Sequence, residues 1–158
     1  MSDKLSRLVG ERVMGLTPWR EDRAGTSYVV WTAGDVKPWS KFRVETHKRE
    51  SKRYTKIAAK DIDPRNDIDC GTERMRYPTS IAAAWEVVEH LRKQTKDDGS
   101  RKYLVSIIDY PNTFDVVVEN HDTYESAHAC KTSAPMAICL AALRAVGVPE
   151  ATIQEACK

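Results

Sequence analysis

Two periods of apolar and polar positions alternate along this chain, and the switches between them mark out its elements. The clearest helical period lies between Ser80 and Arg92. There Ile81, Ala84, Trp85, Val88 and Leu91 fall at i, i+3, i+4, i+7 and i+10, with Glu86, Glu89, Arg92 and Lys93 opposite. A stripe narrowed by alanine and carrying one indole predicts a helix close against a sheet, with Trp85 as a buried anchor filling the gap. The same spacing recurs at Met136, Cys139, Leu140, Leu143 and Val146. Thr132-Ser133-Ala134-Pro135 opens this second stripe with a hydroxyl cap and a proline in the first turn, and Gly147 stops it. Pro149 then opens a short last helix to about Cys157. At the other end, Leu5, Leu8, Val9 and Val13 predict a helix from about Ser2 to Met14, ended by Gly15 in the left-handed conformation.

Period two takes over between these helices. Tyr103 to Asp109 and Phe114 to Glu119 are two β-rich runs joined by Tyr110-Pro111-Asn112, which predicts an antiparallel pair, with Tyr124 to Cys130 as an edge strand. Earlier, Tyr28 to Thr32 and Phe42 to Thr46 read as a hairpin, and the polar run Arg20 to Thr26 before them reads as a loop. Tyr54 to Ala58 fits either a strand extension or a helix start, and Asp61 to Asp67 has the composition of an irregular loop.

The length of 158 residues suits one domain with its own core, and no apolar run approaches the ~18 residues of a membrane span. The start Met1-Ser2-Asp3-Lys4-Leu5 lacks the basic and apolar pattern of a secretory signal. Cys70, Cys130, Cys139 and Cys157 stand far apart, which predicts free thiols in a reducing compartment. The formal net charge of +2 is nearly neutral, but its distribution is not. Between Lys37 and Lys60 nine Lys or Arg face only Glu45 and Glu50, and from Asp61 to Asp69 four aspartates face Arg65.

Three segments carry a family resemblance. Leu8-Val9-Gly10-Glu11-Arg12-Val13-Met14-Gly15-Leu16, the run from Tyr77-Pro78-Thr79-Ser80-Ile81 to Glu89, and Thr132-Ser133-Ala134-Pro135-Met136 to Leu143 together resemble the bacteriophage ABA sandwich domain family. Ser80 and Thr132-Ser133 stand where the family pattern has aspartate and Asp-Thr, exchanges between capping residues. The resemblance implies an α+β fold layered helix, sheet, helix. Its antiparallel sheet would have about three strands with flanking helices, plus an inserted β-hairpin region. It implies a small phage or prophage protein acting in the bacterial host cytoplasm, and no catalytic residues. The expected organisation is a single domain, 1–158, with an N-terminal helix (1–16), a variable basic and aromatic insertion (19–76), a sandwich core (77–147) and a short C-terminal helix (148–158).

The insertion holds the strongest candidate chemistry. Lys37, Lys41, Arg43, Lys48, Arg49, Lys52, Arg53 and Lys56 are interleaved with Trp39 and Tyr54, a mixture in which cations neutralise phosphates while rings stack on bases. The expected ligand is an anionic small molecule of nucleotide type, held without turnover or cofactor. The alternatives are a host or phage protein anchored by exposed aromatics, and direct binding of DNA or RNA. A homo-oligomer is the favoured assembly, because small binding proteins often complete a pocket by self-association. His121 and His128 lie near Asp122, Glu125 and Cys130 in sequence, but the spacing matches no metal-ligand motif. No P-loop, G-x-G-x-x-G or nucleophile elbow is present.

Overall fold

A computed structural model of the chain describes residues 2–23, 26–38, 54–70 and 75–158. In chain order the elements are α1 (Ser2–Arg12), β1 (Leu16–Arg23), β2 (Thr26–Ala33), β3 (Tyr54–Lys56), a 3-10 turn (Ala59–Asp61) and β4 (Asp67–Asp69). There follow α2 (Ile81–Lys93), β5 (Tyr103–Tyr110), β6 (Thr113–Asn120), β7 (Glu125–Lys131), α3 (Ala134–Ala145) and α4 (Glu150–Ala156).

The strands form two sheets. β5, β6 and β7 make an antiparallel meander in the order β5-β6-β7, with Val105 opposite Val118 and Val116 opposite Ala129. The expected pair of strands joined at Pro111-Asn112 is there, and the weaker third strand lies at the edge. Alternation gives this sheet one buried face, through Tyr103, Val105, Val116, Val118 and Ala129. α3 lies over β6 and β7, and α2 lies over β5 and against α3. α1 buries Leu5, Val9 and Val13 against the same core and touches α3 and α4 on one side and β1 on the other.

The helices keep their expected positions but not always their expected faces. In α2 the buried residues are Ala83, Ala84, Val87, Val88 and Leu91, while Trp85 is 44% and Ile81 59% exposed. Trp85 is therefore not the core anchor that its stripe predicts. The cause is its neighbour: α3 brings Ala137, Ala141 and Ala142 into the same core, and two alanine-rich helices pack too closely to admit an indole between them. The buried arc turns away from Trp85, which lies under the Arg92 guanidinium, 5.6 Å from its ring centre. α3 is buried on every side from Ala137 to Leu143, because sheet, α1, α2 and α4 surround it. Ser80 caps α2 by accepting from the Ala83 N–H at 3.4 Å, whereas the Ser133 side chain makes no capping hydrogen bond. Gly15 and Gly147 do take the left-handed conformation, at φ of 63° and 79°.

The second sheet pairs β2 with a segment that reads as a loop in the sequence. Its order is β3-β1-β2-β4, and β2 pairs along its whole length with β1, Leu16 opposite Ala33 and Arg23 opposite Thr26. The segment Arg20 to Thr26, read from sequence as a loop, thus supplies the end of one strand and the start of the next. Phe42 to Thr46 lie outside the described residues. β1 looks like a loop because Arg20, Glu21, Asp22 and Arg23 follow one another, but Arg20 and Asp22 are bonded to other strands of the sheet. Arg20 donates to the Asp67 carboxylate at 2.7 Å, and Asp22 accepts the Ser27 hydroxyl at 2.5 Å. The chain at Asp61 to Asp69 is likewise more ordered than its composition suggests. Asp67 accepts the Asp63 N–H at 2.8 Å, and β4 pairs in parallel with β2.

Candidate functional site

Of the ten residues expected to bind an anion, Lys37, Tyr54 and Lys56 are described, and Trp39, Lys41, Arg43, Lys48, Arg49, Lys52 and Arg53 lie outside the described residues. The two flanks of this basic segment are built into the first sheet. On the leading side, Trp19 Nε1 donates to Thr32 Oγ1 at 2.9 Å, and the same hydroxyl donates to the Val36 carbonyl at 2.6 Å. That chain of bonds fixes the strand end that leads to Lys37. On the returning side, β3 pairs with β1, Trp19 opposite Lys56 and Glu21 opposite Tyr54, and the Ile57 N–H donates to the Pro18 carbonyl at 3.1 Å. Lys56 Nζ then meets Asp35 at 2.7 Å, so an ion pair ties the two flanks together. Both partners are exposed, which makes this pair a weak tether of ~0–1 kcal/mol.

Beneath these flanks lies a network of buried charge. Arg7 Nε donates to Asp69 at 2.9 Å and Trp31 Nε1 donates to the other oxygen at 3.0 Å, joining α1, β2 and β4 through one carboxylate. Arg20 donates to Asp67 and to the Asp61 carbonyl, and its bond to Asp67 holds the guanidinium more firmly protonated than usual. The carboxylates of Asp63, Asp67 and Asp69 are thus bonded within the fold.

A second basic place is formed by residues too far apart in sequence to announce themselves. Glu89, Arg92 and Lys93 at the end of α2 and Arg101, Tyr103, Leu104 and Val105 at the start of β5 line a cleft of about 390 Å³. It carries three cations against one carboxylate, and that carboxylate sits 3.6 Å from Arg92. The signal that could have found it is the helix's polar face ending in Arg92-Lys93, eight residues before Arg101. A further cleft of about 440 Å³ beside β7 is lined in part by Arg144, which makes two bonds of 2.9 Å to Glu150 and donates to the His128 carbonyl.

The other candidate chemistry is not brought together. His128 lies exposed on β7, and His121 lies in the β6–β7 turn, where its N–H donates to the Lys102 carbonyl. Among the described residues, no cluster of His, Cys, Asp or Glu is arranged to hold a metal ion. Cys139 is buried in the core, and loss of solvent pushes its thiol far up, so it stays protonated. No helix among the described residues is long and apolar enough to cross a membrane.

Comparison with known families assigns the scaffold. The model of the phage ABA sandwich domain matches residues 7–143. The chain belongs to that family. The match runs from α1 through α3, the span that holds both sheets and both central helices, and this phage ABA sandwich has the α+β layering that the resemblance implies. No match was found among curated proteins or among solved structures.

Proposed function

We propose that this small phage protein is a non-enzymatic binder of an anionic partner, and that the anion is a nucleotide signal of host defence, sequestered in the bacterial cytoplasm. One observation carries the reading: nine Lys or Arg against two glutamates between Lys37 and Lys60, with Trp39, Phe42 and Tyr54 among them. The bonds through Thr32, Lys56 and Pro18 support it, because they fix where the segment leaves and rejoins the sheet. In such a site Arg and Lys neutralise phosphate oxygens through charge-assisted hydrogen bonds, and Trp39 or Tyr54 stacks on the base. Binding of this kind needs no nucleophile, general base or metal. Self-association that closes the pocket belongs to the same proposal.

The test is mass spectrometry of small molecules released when the purified protein is denatured, paired with calorimetry against cyclic and linear nucleotides. A co-purified nucleotide, or heat on titration, is expected. A protein that releases none and gives no heat with any of them does not have this function. Direct binding of nucleic acid would instead show a steep fall in affinity with salt. A second reading, a protein-interaction module, is favoured by the exposed apolar side chains Ile81 and Trp85 on α2 and Leu104, Ile108 and Tyr110 on β5.

A further inference from the structure

The geometry of the cleft between α2 and β5 points to a peptide-binding edge, separate from the basic segment to which the nucleotide reading belongs. β5 is an edge strand: it pairs with β6 from Tyr103 to Tyr110 and with no other strand among the described residues. In an antiparallel pair every second residue turns its N–H and C=O away from its partner, so the outer side of β5 offers a row of backbone groups to an added strand. Among the described residues that row is blocked at one end only. The isolated bridge of Thr95 with Arg101, and the bond from the Lys102 N–H to the Gln94 carbonyl at 3.0 Å, fill the edge just before β5 begins.

The three cations of the cleft cluster at this blocked end. Lys96 and Lys102 nearby face Asp122 at 3.6 and 3.4 Å, so their charge is partly answered. Arg92, Lys93 and Arg101 share Glu89 alone within the cleft. A strand added antiparallel to β5 has its carboxyl end there, where Thr95 stops it. A strand added parallel would put its amino end among the same cations, which like charge disfavours. Charge therefore sets the direction. Exposed apolar groups flank the edge on both faces, for alternate side chains of the added strand: Leu104, Ile108 and Tyr110 on the open face of β5, and Trp85 and Ile81 on α2, which covers the other face. We propose that this edge binds an extended peptide as an antiparallel strand, its free acidic carboxyl terminus held by Arg92, Lys93 and Arg101 and its apolar side chains against Leu104 and Trp85.

A library of randomised decapeptides with free carboxyl termini, selected on the full chain, tests this. The selected peptides are expected to carry Asp or Glu in their last positions and β-branched residues before them. Amidating the terminus, N-methylating alternate peptide amides, or making the exposed-site variant Arg101→Glu is each expected to weaken binding roughly tenfold or more, while Lys158→Glu, at an exposed position away from the cleft, leaves it unchanged. Circular dichroism and the unfolding midpoint of Arg101→Glu show whether the variant is folded. Selection without acidic termini overturns the proposal, as does binding indifferent to Arg101→Glu and to N-methylation. A protein that self-associates through β5, or fills this cleft with a nucleotide in place of the peptide, overturns it too.

Discussion

On the buried face of the sheet of β5, β6 and β7 the inward positions are apolar and two helices cover them, whereas the sheet of β1 to β4 is tied strand to strand by Arg20 and Asp67 and to α1 by Arg7 and Asp69, beside a few apolar contacts such as Leu16 and Trp31. The first region gains its stability from apolar area removed from water, which is insensitive to salt and tolerant of the exact sequence on its outer face. The second buries fewer apolar residues, Trp19 and Val29 among them, and adds a few charge-assisted bonds with defined partners, each costly to break. A scaffold built this way can vary the surface that hangs from the second sheet while the first keeps the fold.

The comparison predicts an order of sensitivities. Leu143→Ala, at a fully buried position of α3, should cost about 3 kcal/mol in chemical denaturation, and the loss should appear at every probe because it strikes the shared core. Asp69→Ala should cost about 2 kcal/mol, since it strips the partner from both Arg7 and the Trp31 indole. Its damage should be local, with amide exchange faster in β2 and β4 and unchanged in β6. Equal loss of protection in both sheets would show that the two regions are one cooperative unit.

A pH dependence separates the regions further. Tyr77, buried where the chain enters α2, has its hydroxyl pushed from 10.0 to about 12, by burial first and then by Glu86. In the unfolded chain the hydroxyl ionises at the lower value. Above it the unfolded state holds fewer protons than the folded one, so stability is intact below pH 10 and falls as pH rises toward about 12. Tyr77→Phe should flatten that alkaline loss, read from unfolding midpoints across the window. Least of all should follow from Trp85→Ala, which is expected to stay within ~0.5–1 kcal/mol of the parent. A cost of core size would restore the anchor that the α2 stripe suggests.

The same contrast explains what was legible from sequence. The helices α2 and α3 and the β5–β6 pair announce themselves, because apolar burial writes a period into the chain. Which way α2 faces does not, since Ile81 and Trp85 fit the stripe and only the nearness of the alanines of α3 turns them outward. β1 was illegible for the opposite reason: a strand whose Arg20 is paired within the fold has the composition of a loop, and the partner Asp67 lies 47 residues away. At the candidate site, the basic run from Lys37 to Lys60 was plain from local charge, while the α2–β5 cleft draws Arg92 and Arg101 together by topology that no local pattern records.

Isothermal titration of the intact protein with cyclic and linear nucleotides, followed by chromatography of the recovered ligand, tests the central claim most directly. Heat is expected with at least one nucleotide, with loss of that heat when Lys48, Arg49, Lys52 and Arg53 are replaced by glutamate, and recovery of the ligand unchanged. Absence of heat across the panel, or a ligand recovered as product, would contradict it.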